Sequence, residues 1–288
     1  MDDELKDRLA KLLGAPIRSC SVLSGGDISQ SWLLETPAGR LFCKLHSGQD
    51  ALPMFRAEEN GLQAIASTGT VRTPEVLVCQ SLGTLAALIL EYIESKSPSD
   101  SEMQAFGQQL AALHAIEQYD FGWEKDNFIG SLPQSNSRAA DWCSFYVYER
   151  LLPQFNCAME NGHLGSNEIP GESVIEAVLR KFCGPVRPSP LHGDLWGGNY
   201  LISQEGQAYL IDPAVYRGHY EVDLAMSRLF GGFSPPFYKG YESVTPFTAG
   251  YDERQDLYQL YYLLVHLNLF GRSYYSSVKQ LLNRYFTS

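Results

Sequence analysis

The sequence predicts an α+β fold of two unequal lobes, a small strand-rich one followed by a larger, mainly helical one. Three observations carry this expectation. Short β-prone runs crowd the first third, a polar serine-rich stretch interrupts the chain around 94–101, and helical periodicity dominates beyond it. We place the boundary after Ile93, giving lobes of 1–93 and 94–288. A chain of 288 residues is long enough to bury a sizeable core in this arrangement.

Taken in order, Ser19–Leu23 and 31–35 read as strands on either side of a glycine turn, and 40–46 as a third strand ending in charge. Segment 54–67 spaces Phe55, Leu62, Ile65 and Ala66 as a helix does. Runs 74–79 and 84–92 complete a small antiparallel sheet with one main helix; the last is almost wholly apolar and therefore central. Past the linker, Ser99 and Glu102 have capping-box spacing, and Met103, Phe106, Leu110 and Leu113 follow at helical intervals. Further helices are expected over 140–162, 173–183 and 278–286. Another, over 252–270, carries Leu257, Leu260, Tyr261 and Leu264 on one stripe. Between them, Tyr200–Ile202 and 208–211 flank Ser-Gln-Glu-Gly-Gln and predict a β-hairpin inside the helical lobe.

Thirty-three acidic against 22 basic residues give a net charge of -11, which argues against a general nucleic-acid binder. The acidic start lacks the apolar stretch of a signal peptide, and the uncharged runs at 76–90 and 257–271 are too short and interrupted to span a bilayer. No membrane partner is expected, and a cytoplasmic location is. The six cysteines are scattered without a CxxC pair and read as reduced thiols.

The chemistry concentrates in Leu191-His192-Gly193-Asp194-Leu195-Trp196-Gly197-Gly198-Asn199, followed beyond the hairpin by Asp212 in Ile-Asp-Pro-Ala. Phosphoryl transfer needs an oriented acceptor hydroxyl, a group to accept its proton, and metal ions bridging the phosphates. Asp194 suits the base, and Asn199 with Asp212 offers hard oxygen ligands for Mg2+. The bland alternative is that Asp194 and Asn199 only cap turns; the third member, Asp212, weighs against it.

Upstream, Gly25 and Gly26 form a turn through which backbone N–H groups could approach ATP phosphates, a weak signal alone because such turns are common hairpin connectors. Lys44 lies between apolar Cys43 and Leu45 and is costly to hide without a negative partner. Glu58 on the first helix is the preferred partner; Glu59 points about a quarter turn away. Glu91, Tyr92 and Ile93 lead from the central strand into the linker, where main-chain atoms could meet adenine.

Taken together these residues resemble the aminoglycoside/choline-kinase-like branch of the kinase superfamily, which implies the two-lobed protein-kinase-like fold. The run His192-Gly-Asp-Leu-Trp-Gly-Gly-Asn199, then Asp212-Pro-Ala, then Gly218-His-Tyr-Glu-Val-Asp223, resembles the fructosamine-3-kinase (ketosamine-3-kinase) family more narrowly. Segment 127–134 supports that likeness. The resemblance implies ATP and Mg2+ as cofactors, a small-molecule or protein-bound ketosamine as acceptor, phosphorylation at the sugar 3-hydroxyl, and deglycation as the outcome. It implies that Asp223 and His192 support the catalytic loop and that Trp196 packs on the sugar-bearing group, a core anchor being the alternative for Trp196. Some members carry a redox cysteine in the phosphate loop; Ile28-Ser-Gln-Ser31 has none, so that switch is not implied. Two other readings stand beside this one. A kinase of the same fold could act on an aminoglycoside or a choline-like metabolite, and a non-catalytic nucleotide-binding protein would typically have lost the base or a metal ligand.

Overall fold

The structure is a computed structural model and describes residues 1–23 and 29–286. The glycine-turn expectation at Gly25 and Gly26 lies outside the described residues. The described chain forms two compact units, Met1–Pro98 with Leu201–Asp212, and Ser99–Tyr200 with Pro213–Ser288.

The first unit opens on a helix, α1 (Asp3–Leu13), that the sequence reading did not anticipate. Its signals are local: the Asp2 side chain caps Leu5 N, and Gly14 ends the helix in the left-handed conformation. Strands β1 (Ser19–Leu23), β2 (Gln30–Thr36) and β3 (Gly39–Ser47) precede α2 (Ala51–Ser67), and β4 (Val76–Leu82) and β5 (Leu85–Glu91) follow it. They form one antiparallel sheet in the order β1-β2-β3-β5-β4. Strand alternation sorts its side chains to two faces. Cys43, Leu45, Ala87 and Ile89 pack with Leu9 of α1, while Ala86, Leu88 and Leu90 pack with Phe55 and Leu62 of α2. Covers on both faces explain why β5 is apolar at nearly every position.

The second unit begins with α3 (Asp100–His114), whose Ser99–Glu102 capping box is formed. A short hairpin of β6 (Asn127–Ile129) and β7 (Leu132–Gln134) follows. The next helical stretch runs as α4 (Trp142–Tyr146), a π-helical turn (Val147–Leu151) and α5 (Leu152–Glu160), then α6 (Glu172–Phe182). Strand β8 (Ser189–Leu191) leads to the hairpin of β9 (Tyr200–Ile202) and β10 (Ala208–Leu210). Strand β11 (Tyr216–Gly218) returns to pair antiparallel with β8. Helices α7 (Glu221–Leu229), α8 (Pro235–Glu242), α9 (Tyr251–Phe270) and α10 (Tyr275–Tyr285) complete the chain. Helices α3 and α8 touch backbone to backbone: a Cβ added at Gly107 would sit 2.0 Å from the Phe237 carbonyl oxygen. The core is aromatic around α9, where Tyr258 meets Trp142 and Tyr146, Tyr261 meets Tyr146, and Tyr262 packs on Tyr261.

Residues 201–212 belong to the compact body of the first unit, although their place in the chain, amid helices, suggests the second. The reason is backbone pairing. Lys96 N donates to Ile202 O and Leu210 N to Arg72 O, with bridges between Ser95 and Ser203 and between Arg72 and Tyr209. Among the described residues, no helix is long and apolar enough to cross a membrane.

Candidate active site

In the first unit, β3 places Lys44 on the face covered by α2, between Cys43 and Leu45, which face α1. From there its ammonium donates to Glu58 Oε1 at 2.8 Å and to the Asp212 carboxylate. Lys44 is 7% exposed. Burial alone would lower its pKa, but the charges of Asp212 and Glu58 reverse that and hold it above the usual lysine value. Burial pushes the Glu58 carboxyl up to about 8; Lys44 pulls against this and the Asp212 charge adds to it. One cation between two carboxylates is an arrangement that a further positive charge would relax. Glu59 faces elsewhere and accepts from Arg56 at 3.1 Å.

Asp212 has φ 53°, and it is the one non-glycine described residue with a positive φ. Aspartate tolerates this region better than most residues, but the conformation still costs on the order of 1–3 kcal/mol and marks a position held by its surroundings. At the end of β5, Glu91 N donates to Glu75 O at 2.9 Å, the Arg40 guanidinium lies 4.8 Å from the Tyr92 ring centre, and Ile93 is buried.

In the second unit, the loop after β8 has its backbone polar groups paired one after another. Asp223, fully buried at the first turn of α7, accepts from His192 N at 2.7 Å and Gly193 N at 2.9 Å. His192 O accepts from Ala214 N at 2.9 Å, and Gly193 O accepts from the Tyr262 hydroxyl at 2.8 Å. Asp194 O accepts from the Asn199 side-chain amide at 2.8 Å, and the same amide lies 3.2 Å from Asp194 Oδ2. Asp194 N lies 3.3 Å from His192 Nδ1. Asp223 is itself held by His114, whose Nε2 lies 3.1 Å away and whose Nδ1 lies 2.8 Å from the Tyr241 hydroxyl.

Close approach explains the glycines of this loop. Gly193 has φ 84°, and a Cβ there would fall 2.0 Å from the Ala214 carbonyl oxygen. The Trp196 ring lies over Gly198, where a Cβ would be 2.4 Å from ring atoms. Trp196 is 41% exposed, so it is a surface ring and not a core anchor. The sequence residues therefore gather in two groups: Lys44, Glu58 and Asp212 in the first unit, and His192, Asp194, Asn199 and Asp223 in the second. Sequence reasoning gave no individual role to His114, Tyr262, Asn127 or Gln134, although segment 127–134 supports the family likeness. Tyr262 is masked by its place in a tyrosine-rich helix. The other three are polar residues that the structure buries, and burial is what a sequence does not print.

Donor chemistry allows a magnesium ion. The Asn199 nitrogen is committed to Asp194, which leaves its side-chain oxygen as a hard donor in the second unit; in the first unit the Asp212 carboxylate is a donor of the same kind. Among the described residues no group of three or more His, Cys, Asp or Glu is built to hold a metal alone. Magnesium typically takes one or two protein oxygens and completes its shell with phosphates and water.

A fructosamine kinase family model matches residues 1–288. The Synechocystis protein named "Probable ketoamine kinase" is 37% identical over 285 residues, covering 97% of this chain and 95% of its own. A chloroplastic protein-ribulosamine 3-kinase of Oryza sativa subsp. indica is 37% identical over 275 residues, covering 93% of this chain and 79% of its own. The crystal structure of a Haemophilus somnus 129PT protein assigned as a fructosamine-3-kinase superposes with TM-score 0.87 at 28% identity, covering 98% of this chain and 97% of that one. The fold is accordingly the α+β, protein-kinase-like one that the sequence predicted.

Proposed function

The chain belongs to the fructosamine kinase family, and from that membership we infer that it transfers the γ-phosphoryl group of ATP to the 3-hydroxyl of a ketosamine. The observation that carries the reading is the loop at 192–199. A carboxylate and an amide are fastened to each other there, on a backbone whose polar groups are paired on both sides.

Asp194 accepts the proton of the acceptor hydroxyl as its oxygen bonds to the γ-phosphorus, and the bond to the β,γ-bridging oxygen breaks to release ADP. Lys44, steadied by Glu58, contacts the nucleotide phosphates. Asn199 and Asp212 would hold magnesium, and that ion would supply charge neutralisation at the phosphates. The Glu91 carbonyl and the Ile93 amide read adenine, with Tyr92 between them. Asp223 and His192 act on loop geometry, and the exposed Trp196 ring offers a surface to the sugar.

Deglycation follows from the product. Enolisation of the ketoamine toward C1 makes the C3 oxygen allylic, and phosphate leaves from there more readily than hydroxide. Hydrolysis of the remaining carbon–nitrogen bond then frees the amine. Kinases of this fold that act on aminoglycosides or choline define the competing acceptors.

A coupled ATP-consumption assay with magnesium tests the reading on fructosyl-lysine, ribulosyl-lysine, kanamycin and choline. Turnover on one or both ketosamines, with silence on kanamycin and choline, is expected. Turnover on kanamycin or choline alone would overturn the acceptor assignment while leaving the kinase chemistry in place.

A further inference from the structure

Asp223 guards one side of the catalytic loop. The other side is residues 214–215, and what holds them has no part in the chemistry described so far. The Asn127 side-chain amide donates to Val215 O at 2.8 Å, and Gln134 Nε2 donates to Ala214 O at 3.3 Å. Asn127 Oδ1 in turn accepts from Gln134 Nε2 at 2.8 Å and from Asn136 Nδ2 at 2.9 Å. Tyr261 donates its hydroxyl to Gln134 Oε1 at 2.6 Å. Arg150, with no exposed surface, donates to Asn136 Oδ1 at 2.7 Å while its guanidinium lies 3.9 Å from the Tyr216 ring centre. Arg150 stands on the π-helical turn, a local widening that recurs at functional positions.

Each of these side chains is at least nine-tenths buried, and they bond to one another, to the 214–215 backbone and, from Asn136 and Arg150, to the carbonyls of Lys125, Ser135 and Glu149. A network of that kind rigidifies what it touches. What it touches is the surface against which the catalytic loop turns: Ala214 N binds His192 O, and Ala214 O occupies the space a side chain on Gly193 would need. We propose that Gln134 and Asn127 are positioning residues for Asp194, fixing Ala214 and Val215 and through them the His192–Gly193 turn.

The proposal rests on Asp194 being the base, so the experiment includes a control for that premise. Turnover of fructosyl-lysine, KM for ATP, ATP affinity by titration calorimetry and melting temperature are measured for wild type, Gln134→Leu, Tyr261→Phe and Asp194→Asn. Gln134→Leu keeps the side-chain bulk and removes the polar link. Its kcat is expected to fall by about 10–100-fold with KM and affinity for ATP unchanged, the usual size of effect for misorienting a reacting group. A folded Gln134→Leu protein with wild-type kcat would overturn the proposal. So would losses of kcat and ATP affinity that track the loss of melting temperature, which would mark a purely structural role. Should Gln134→Leu fail to fold, Tyr261→Phe decides, since it removes one hydroxyl and keeps the ring. A kcat lowered several-fold with intact ATP affinity supports the proposal, and an unchanged kcat overturns it. Wild-type turnover in Asp194→Asn would instead remove the base assignment itself.

Discussion

Lys44 shows how far single residues can be read. A strand alternates its faces, so a lysine between two apolar neighbours must point away from whatever they cover, and a helix carboxylate nearby is its natural partner. The 2.8 Å contact with Glu58 is legible on that ground. The Asp212 contact is not, because it depends on where a hairpin more than a hundred residues later comes to rest. Gly193 carries a sharper test. Its left-handed φ and the Ala214 carbonyl in the path of a Cβ make Gly193→Ala doubly unfavourable. The variant is expected to lose about 1–3 kcal/mol of stability and most of its turnover. Thermal melts and steady-state rates check this, and wild-type values for both would show that the loop tolerates the shift.

At the scale of elements, hydrophobic periodicity carries most of the fold. Helices centred on 54–67, 173–183 and 252–270 and the strands of the first unit all leave a repeating apolar pattern. The N-terminal helix was legible too, since Leu5, Leu9, Leu12 and Leu13 fall at helical spacing behind a charged opening, and β5 held a second clue. A strand apolar on both faces needs two covers, and only one helix had been assigned to that sheet. The helical segment over 140–162 was legible as helix, but its π-helical turn was not, since one extra residue per turn alters no propensity. The supports of the catalytic loop were hidden for a different reason. Asn127, Gln134 and His114 look like surface residues in one dimension, and only the packing of β6, β7 and α3 buries them.

At the scale of the whole molecule, the excess of carboxylates sets no fold, but one buried histidine sets an acid limit. His219 is buried with its Nδ1 2.8 Å from the Tyr258 hydroxyl. Burial, assisted by the charges of Arg254 and His114, lowers it to about 3. The fold therefore holds the neutral ring. The stability this gives is fully present above the ordinary histidine value near 6.5 and is lost as pH falls from there toward 3. Melting temperature is expected to decline more steeply between pH 6.5 and 4 in wild type than in His219→Gln, and parallel curves would contradict the assignment.

The central claim, that Asp194 takes the acceptor proton in phosphoryl transfer to a ketosamine, is tested most directly by Asp194→Asn assayed on fructosyl-lysine with ATP binding measured on the same sample. The account predicts a rate lower by about 10²–10⁴-fold with ATP affinity preserved. Unchanged turnover in the variant would contradict it.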